Sequence, residues 1–449
     1  MVAPDTSTPD TSASGTSAPD TAAPHRLDDL THDELAVLGR EYLLAGQLMD
    51  RSGMPHLISA YGREVMGEIA IDEWMGASPV YTRRMQRLLD FANGDVATIF
   101  KGMQFDIGAP PEFMDFRYLV IDETHGEFWL DHCGALMDVE PMGDEYVTTM
   151  CHAIEDPTFD ATATATSYFA RMRPIHRPPR VPAGRDPQCH WTVEINEEFG
   201  ALPNPEPAEH IGSTLLASLT GPSIDVSEPS EDGWDDYTAP VDPDLQLEQF
   251  STTALRALVQ EFCVQSHLLV MSFLFAIERR YSTEDAVAIG AKQAAGIAGL
   301  TAERLRAAFG WGADLAGIAQ VLELHPAFHP REYIDFRVEF TPGPADGEDG
   351  ELVLRLGPCA ALDEVGRDTW ITILADGNAS ALQAAVQAID PCARIEPADP
   401  AAGDVAAWRV VIGDEPAEES SEVALTRFST GAEFQFVATP VTLAARTTR

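Results

Sequence analysis

The segment Pro-Pro-Glu-Phe-Met-Asp-Phe-Arg at 110–117 has a near copy, Pro-Arg-Glu-Tyr-Ile-Asp-Phe-Arg, at 330–337. The two segments stand 220 positions apart, and the same offset relates Arg84 to Arg304. Because this period is far longer than the unit of a solenoid, it indicates two tandem domains of about 180 residues each. Positions kept in both copies are expected to serve the fold, whereas positions found in one copy are candidates for chemistry.

Shorter matches accompany the octapeptide in the same order along both halves. They are Leu30–Leu38 with Phe250–Leu258, Gly126–Leu130 with Gly350–Leu354, Cys133 with Cys359, and Trp191 with Trp408. In each half, helical periodicity comes first and strand-like alternation follows. The sequence therefore predicts an α+β fold of two tandem pseudo-repeat domains, each a helical N-terminal part followed by a mostly antiparallel sheet.

The pattern of each segment gives approximate element boundaries. Thr31 and Glu34 form a capping box, which predicts a first helix that ends near Asp50. Further helices are expected at 56–74 and 80–93, and strands at 116–121, 127–133, 171–176 and 189–195. The second half repeats this order, with helices between 251 and 320, then strands, a helix at 379–389, and strands to 412.

Composition shifts divide the chain into five parts. Residues 1–27 are expected to form a disordered acidic tail, because they lack an apolar core. The first α+β repeat, which carries a Cys/His cluster, spans 28–200, and a linker with a short helix follows at 201–249. The second, degenerate repeat spans 250–414. Residues 415–449 are expected to form a C-terminal helix and tail.

Charge and composition exclude several classes of partner. The net charge is −43, and Lys101 and Lys292 are the only lysines. Nucleic acids and anionic membranes attract positive surfaces, so neither is an expected partner. The longest apolar run, Leu268–Ile277, is too short to span a bilayer and predicts a buried helix. No apolar signal-peptide segment precedes the first repeat, so reduced cysteines and a cytoplasmic location are expected.

The two copies differ most in their Cys and His residues. The first copy contains His132-Cys133, Cys151-His152, His176 and Cys189-His190. In the second copy only Cys359 persists, with Ala375 opposite Cys151 and Ala406-Ala407 opposite Cys189-His190. The sequence therefore assigns any chemistry of this kind to the first copy.

Thiolates and imidazoles are the usual ligands of Zn²⁺ and related transition metals, so the cluster predicts a metal site. The favoured ligands are Cys133, Cys151 and Cys189, with His176 or a carboxylate as the fourth. Strand alternation places Cys189 on one face with Trp191, and Cys133 on one face with Trp129 and Asp131. An alternative set, His132, His152 and His190, lies on the opposite face. Packing of the cysteines as small apolar residues is a third interpretation.

A catalytic thiol is also compatible with the cluster. Cys151 would be the nucleophile, His152 would lower its pKa, and Asp156 or Glu155 would orient the imidazole. Arg177 and Arg180, together with Arg185, could bind a substrate carboxylate; alternatively, this loop neutralises nearby acids. Asp115-Phe116-Arg117 occurs in both copies, which predicts a structural ion pair or strand start.

The order of these motifs resembles a known superfamily. Cys133-Gly134 after a strand, Cys151 at the start of a helical segment and Cys189-His190-Trp191 in a later strand resemble the 4-vinyl-reductase domain superfamily. They also resemble the related L-2-amino-thiazoline-4-carboxylic acid hydrolase-like proteins. The resemblance implies α+β domains with a small-molecule pocket between helices and sheet. It further implies either a structural zinc held by spaced cysteines or the opening of a small sulfur heterocycle.

These observations lead to three hypotheses about function. The first is a metal- or Cys-dependent hydrolase that acts on a small carboxylated C–N or C–S substrate. The second is a small-molecule-binding or sensory module with a structural zinc, and the third is a structural pseudo-dimer without chemistry. A small-molecule ligand is the expected partner. The absence of a Gly-rich phosphate-binding loop from the sequence argues against nucleotides.

Overall fold

The computed structural model describes residues 24–111, 113–224, 230–343, 350–366 and 368–427. Most of the predicted acidic tail and the chain after Arg427 lie outside these residues. Within the described part, the chain forms two halves of the same design, joined by a segment that contains short helices.

The first half starts with helices and ends with a sheet. Its helices are α1 (His32–Leu43), α2 (Ala45–Tyr61), α3 (Arg63–Leu88) and α4 (Val96–Gln104), followed by strands β1 (Met114–Val120) and β2 (His125–Cys133). Next come α5 (Gly134–Val139), α6 (Asp144–Thr148), a π-helical segment (Thr149–Ile154) and α7 (Glu155–Ala163). Strands β3 (Ala170–His176) and β4 (Cys189–Ile195) follow, and α8 (Glu206–Gly212) and α9 (Leu215–Ser218) lie in the connection.

The second half repeats this order with fewer interruptions. Its helices α10 (Thr252–Glu278), α11 (Thr283–Phe309) and α12 (Leu315–Glu323) precede strands β5 (Phe336–Thr341) and β6 (Glu351–Leu356). Helices α13 (Trp370–Ala375) and α14 (Ser380–Ile389), strands β7 (Ala393–Pro397) and β8 (Ala406–Ile412) and helix α15 (Ser421–Arg427) follow. The long helix α10 thus corresponds to α1 and α2 together, and α11 corresponds to α3.

The two sheets have the same topology. In the described residues, the strand order is β1-β2-β4-β3 in the first sheet and β5-β6-β8-β7 in the second, with every neighbouring pair antiparallel. The predicted α+β class with two tandem halves is therefore confirmed. The predicted ion pair is confirmed as well, since Arg117 lies 3.1 Å from Asp115 and Arg337 lies 3.2 Å from Asp335, each at the first strand of its sheet.

Helix starts are set by matching caps in both halves. Thr31 caps α1 in the predicted capping box with Glu34, and Ser251 caps α10 by accepting from the Ala254 amide. Side-chain oxygens that accept from these amides replace the missing intrahelical bonds of the first turn. Asp95 and Asp314 cap α4 and α12 in the same way. These two residues are 219 positions apart, one fewer than the common offset of 220.

The predicted helix breaks near Asp50 and before residue 80 are wrong. The observed breaks are at Leu44 and Gly62, and α3 continues to Leu88. Glycines inside these helices serve packing between the halves: a Cβ on Gly76 would lie 2.1 Å from the Ser272 hydroxyl of α10. Close tertiary packing therefore overrides the low helix propensity of these stretches.

The helices of the two halves form a common layer. Helix α3 packs on α10, and α2 packs on α11, so each half covers the apolar face of the other. Helix α10 is long and apolar enough to cross a membrane by length and composition, but 89% of its most apolar window is buried inside this layer. Burial between the halves accounts for the apolar sequence of α10, as the run at Leu268–Ile277 predicts.

Strand pairing corrects two details of the sequence interpretation. Phe116 pairs with Leu130 while Asp115 pairs with His132, so Asp131 is an extra, bulged residue. This bulge turns Cys133 to the buried face of Leu130, and the prediction that it shares a face with Asp131 is wrong. The predicted match of Gly126–Leu130 with Gly350–Leu354 is shifted by two residues. Phe116 pairs with Leu130, and its equivalent Phe336 pairs with Leu356, so Leu130 corresponds to Leu356.

Candidate functional site

A cavity lies in the first half, between helices α2 and α3 on one side and α5, the π-helical segment and α7 on the other. It consists of a sheet-side chamber of about 140 Å³ and a helix-side chamber of about 370 Å³. Six residues line both chambers: Gln47, Asp50, Trp74, Ala135, Met150 and Ile154. Together the chambers have the size and mostly apolar lining of a pocket for a small molecule.

Methionine dominates the cavity wall. Seven of the 13 methionines line it: Met54, Met66, Met103, Met114, Met142, Met150 and Met172. The unbranched, polarisable thioether side chain adapts to ligands of different shape, and it is over-used at adaptable binding surfaces. The wall therefore suits an apolar molecule without a rigid shape requirement.

Asp50 and Trp74 provide a polar centre in this wall. Trp74 Nε1 donates to Asp50 Oδ2 at 3.3 Å, and a Cβ on Gly108 would lie 2.7 Å from the indole, so the ring is held closely. The second oxygen, Asp50 Oδ1, is buried without a hydrogen-bond partner among the described residues. Burial raises the pKa of Asp50 to about 7, although the Trp74 hydrogen bond opposes the shift.

Glu73 lies next to this centre on α3. Its side chain is fully buried, and in the described part of the chain neither carboxylate oxygen has a hydrogen-bond partner. Burial, together with the nearby charge of Asp50, raises the pKa of Glu73 well above its usual value. The two carboxyls therefore disfavour each other's ionised form.

Two further acids line the sheet-side chamber. Glu155 Oε2 is buried and has no partner among the described groups, and burial raises the pKa of Glu155 to about 8 against the effect of Arg177. Asp106, by contrast, accepts from Tyr81 Oη and from the Gly108 amide, both at 2.8 Å. Burial raises the pKa of Asp106 to about 6. Asp106 is thus a satisfied structural acid, whereas Glu155 keeps a free oxygen.

The helix-side chamber contains a closed ion pair. Arg51 Nη1 lies 3.1 Å from both oxygens of Asp138, and the guanidinium also donates to the carbonyls of Thr426 and Arg427. The carbonyls come from α15, so the C-terminal helix fixes Arg51 at the cavity wall. The positive charge of Arg51 is thereby neutralised within the protein.

The corresponding space in the second half is nearly filled. Between α11 and helices α13 and α14 it measures about 30 Å³. Helix α11 presents alanines and glycines there, which lets α14 approach closely; the Ala384 carbonyl would lie 3.3 Å from a Cβ on Gly299. In the described residues, the second half therefore has the fold of the first with only a small remnant of its cavity.

The Asp50–Trp74 pair of the cavity is also missing from the equivalent positions of the second half. At the common offset of 220, Asp50 corresponds to Val270 and Trp74 to Ala294. Arg51 likewise corresponds to Met271. These replacements between equivalent helix positions are the sequence signal that identifies this site.

The three predicted cysteine ligands lie together in the core of the first half. Cys133, Cys151 and Cys189 are all buried, and each feels the charge of Glu155. Burial raises the pKa of Cys133 to about 12 and the pKa of the other two thiols well above the usual value. As expected, Cys189 shares the buried face of Trp191, and Ala406 occupies its place in the second sheet.

The surroundings of Cys151 do not activate its thiol. His152 Nε2 lies 2.7 Å from the Pro178 carbonyl oxygen, so this imidazole is engaged elsewhere. Asp156 pairs with Arg177 and does not orient the ring. A neutral, buried thiol is a poor nucleophile because the thiolate is the reactive form. The proposed roles of Cys151, His152 and Asp156 therefore receive no support from the geometry.

The histidines of the alternative metal set occupy separate places. His190 Nε2 lies 2.9 Å from Glu127, and the rings of His190 and His176 are 6.0 Å apart, on paired strands. In the strand register, His132 on β2 lies opposite Asp115 on β1. Within the described residues, no group of three or more Cys, His, Asp or Glu side chains is arranged to hold one metal ion. Metal binding stays a prediction.

Arg177 and Arg180, which were expected to bind substrate, are already paired with protein acids. Arg177 forms an ion pair with Asp156 and lies over the Trp191 ring, and both Nε and Nη2 of Arg180 donate to Glu140 at 2.9 Å. A substrate carboxylate would have to displace a protein carboxylate from each guanidinium. This arrangement favours the alternative that the loop neutralises nearby acids.

Comparison with known proteins adds no homologue to this description. No family model, no curated protein and no solved structure matches the chain. The resemblance to the 4-vinyl-reductase superfamily stays a prediction. Function is therefore inferred from the geometry of the cavity.

Proposed function

We propose that the first half binds a small, mostly apolar molecule in the cavity between α2, α3 and α7. The second half serves as a scaffold that holds α2 and α3 in place through α10 and α11. The observation that carries this proposal is the asymmetry of the two halves: one of two similar folds keeps a cavity with buried acids, while the other fills it. The proposal keeps the small-molecule binding of the second hypothesis, without its structural zinc, and places it at a different set of residues.

The character of the wall supports binding. An unfilled apolar cavity of several hundred Å³ lowers the stability of the folded state, because its lining loses dispersion contacts. Buried carboxylate oxygens without partners, such as those of Asp50 and Glu155, add a desolvation cost. A ligand that fills the space and bonds these oxygens would offset both costs.

Acid–base chemistry is a second candidate, supported by Asp50 and Glu155. Both carboxyls line the sheet-side chamber, and burial brings their pKa values to about 7 and about 8. Groups that exchange protons near neutral pH at an apolar cavity are typical of active sites. A hydrolase that uses these carboxyls, rather than the buried thiols, is the form of the enzyme hypothesis that the geometry favours.

Binding can be tested with an uncharged fluorescent probe, N-phenyl-1-naphthylamine. We expect saturable fluorescence enhancement with one site per chain. Ala135→Phe enlarges a side chain that lines both chambers, so it should lower the affinity for the probe about ten-fold or more. Ala201→Phe, on an exposed loop, is the matched control and should bind as the wild type does. Ala135→Leu gives a graded filling if the larger side chain disturbs folding. Unchanged probe affinity in folded Ala135→Phe and Ala135→Leu would refute the proposed site.

A further inference from the structure

We propose that the cavity selects a ligand with a positively charged nitrogen on an apolar body, with Asp50 as its counter-ion and the Trp74 ring as its aromatic partner. This inference rests on the proposed function, since it names the class of molecule that the same cavity takes. It predicts organic ammonium compounds in preference to uncharged molecules of the same shape.

The ionisable side chains around the cavity favour a cation, because a cation would stabilise the ionised form of the acids among them. Asp50, Asp106 and Glu155 line the sheet-side chamber, and Glu73 lies buried beside Asp50. Among the lining residues of the described chain, Arg51 is the one basic side chain, and it is bound to Asp138. Arg177 acts on Glu155 but is paired with Asp156. The acids of the sheet-side chamber thus outnumber the uncommitted positive groups around it.

Two carboxyl groups in the cavity lining each have one oxygen that no described protein group satisfies. These oxygens are Asp50 Oδ1 and Glu155 Oε2, which are buried without a hydrogen-bond partner in the described part of the chain. Asp106 differs because Tyr81 and the Gly108 amide already donate to it. A cationic nitrogen in the chamber would supply a counter-charge to the Asp50 carboxyl and favour its ionised form, whether or not the nitrogen carries a hydrogen.

Trp74 completes the recognition of a cation. Its indole lines both chambers, next to the carboxylate that it contacts through Nε1. Trp is the strongest cation–π partner among the side chains, and a desolvated site strengthens the attraction. The pairing of Asp50 with Trp74 is confined to the first half, because Val270 and Ala294 occupy the equivalent places.

Because Asp50 titrates, the pH dependence of affinity distinguishes a cationic ligand from an uncharged one. A cation binds to the carboxylate and must displace a proton from it, so affinity for a cation should rise with pH until Asp50 is ionised in the free protein. An uncharged ligand with a carbonyl acceptor would instead bind the protonated carboxyl, and its affinity should fall over the same range. Glu73, Asp106, Glu155 and the Arg51–Asp138 pair face the same region and shift the midpoint without reversing its sign.

The test compares benzyltrimethylammonium with neopentylbenzene, its uncharged isostere, by displacement of N-phenyl-1-naphthylamine between pH 5.5 and 8.5. We expect the cation to bind about ten-fold or more tightly than the isostere at pH 8, with a smaller ratio at pH 6. Asp50→Asn should bring the ratio close to one at both pH values. Asp122→Asn, in an exposed turn, is the matched control and should leave the ratio unchanged.

The outcomes distinguish the inference from the proposed function. Binding of the fluorescent probe with no preference for the cation, or a preference that Asp50→Asn leaves intact, would overturn the inference and leave the cavity as a binding site. Failure of the fluorescent probe and both ligands to bind would overturn both proposals.

Discussion

Arg84 on α3 of the first half forms a buried ion pair with Glu261 on α10 of the second half, with Nε 2.9 Å from Oε2. The symmetry-related contact is also present: Arg304 on α11 lies 2.6 Å from Glu41 on α1. Both pairs are related by the offset of 220. A contact in which each partner repeats the other's role is the signature of a two-fold interface. The single chain therefore preserves the arrangement of a symmetric dimer.

The two symmetry-related ion pairs between the halves should be critical for stability. We expect Arg84→Ala to lower the free energy of unfolding by about 3 kcal/mol or more, because Glu261 would remain buried without its cation. Replacing both partners, as in Arg84→Met with Glu261→Leu, should recover most of the loss. The measurement is urea unfolding followed by circular dichroism.

The exposed pair Arg173–Asp160 supplies the control for this prediction. The side chain of Arg173 is 54% exposed, so Arg173→Ala should lower stability by less than about 1 kcal/mol. Equal losses in Arg173→Ala and Arg84→Ala would show that the inter-half pair has no special role.

The equivalent residues Glu73 and Gln293 allow a reciprocal exchange. Both side chains are fully buried. Burial raises the pKa of Glu73 in the folded state, so the unfolded chain loses this proton at a lower pH than the folded chain does. Wild-type stability should therefore fall as pH rises above about 4.5, and Glu73→Gln should remove up to about 1.4 kcal/mol of this loss per pH unit. Gln293→Glu should add a similar loss. Urea unfolding at pH 5 and pH 8 measures both, and a pH-independent effect of Glu73→Gln would contradict the burial of an acid there.

The buried thiols should react slowly in the native protein. Cys133, Cys151 and Cys189 are buried and protonated, whereas Cys359 and Cys392 are partly exposed. At pH 8 we expect a disulfide reagent to modify Cys359 and Cys392 first, as mapped by mass spectrometry of peptides. Modification of Cys151 first would revive the hypothesis of a thiol nucleophile.

Cys189 and Cys359 also test the predicted metal site. If the cysteines only pack, Cys189→Ala and Cys359→Ala should each lower the free energy of unfolding by about 1 kcal/mol and leave the metal content of the protein unchanged. Native mass spectrometry gives the metal stoichiometry, and circular dichroism confirms folding. Loss of a bound metal ion in Cys189→Ala, but not in Cys359→Ala, would establish the cysteine site instead.

The sequence was sufficient to predict the duplication, the α+β class and the strand ion pair, because each depends on local pattern or on a match between copies. The bulge at Asp131 was not predictable, since one extra residue in a strand leaves no mark in an alternating pattern. The filling of the second cavity depends on how closely α14 approaches α11, which is a property of tertiary packing.

The candidate site was missed for a different reason. Asp50 and Glu73 lie in helices, where an acid ordinarily faces solvent, and burial reverses that expectation. The Cys/His cluster predicted a site because its residue types are reactive, and the structure places its three cysteines in the buried core. The replacement of Asp50 by Val270 in the other copy is the sequence signal that points to the cavity.

The central claim is that one of two similar halves keeps an open apolar cavity, and crystals pressurised with xenon test it most directly. Xenon occupies apolar cavities without requiring a specific ligand. We expect xenon between α2, α3 and α7, near Met54 and Met66, and none in the smaller space lined by Ala294 and Phe328. Equal xenon occupancy in both halves, or xenon in the second half alone, would contradict the account.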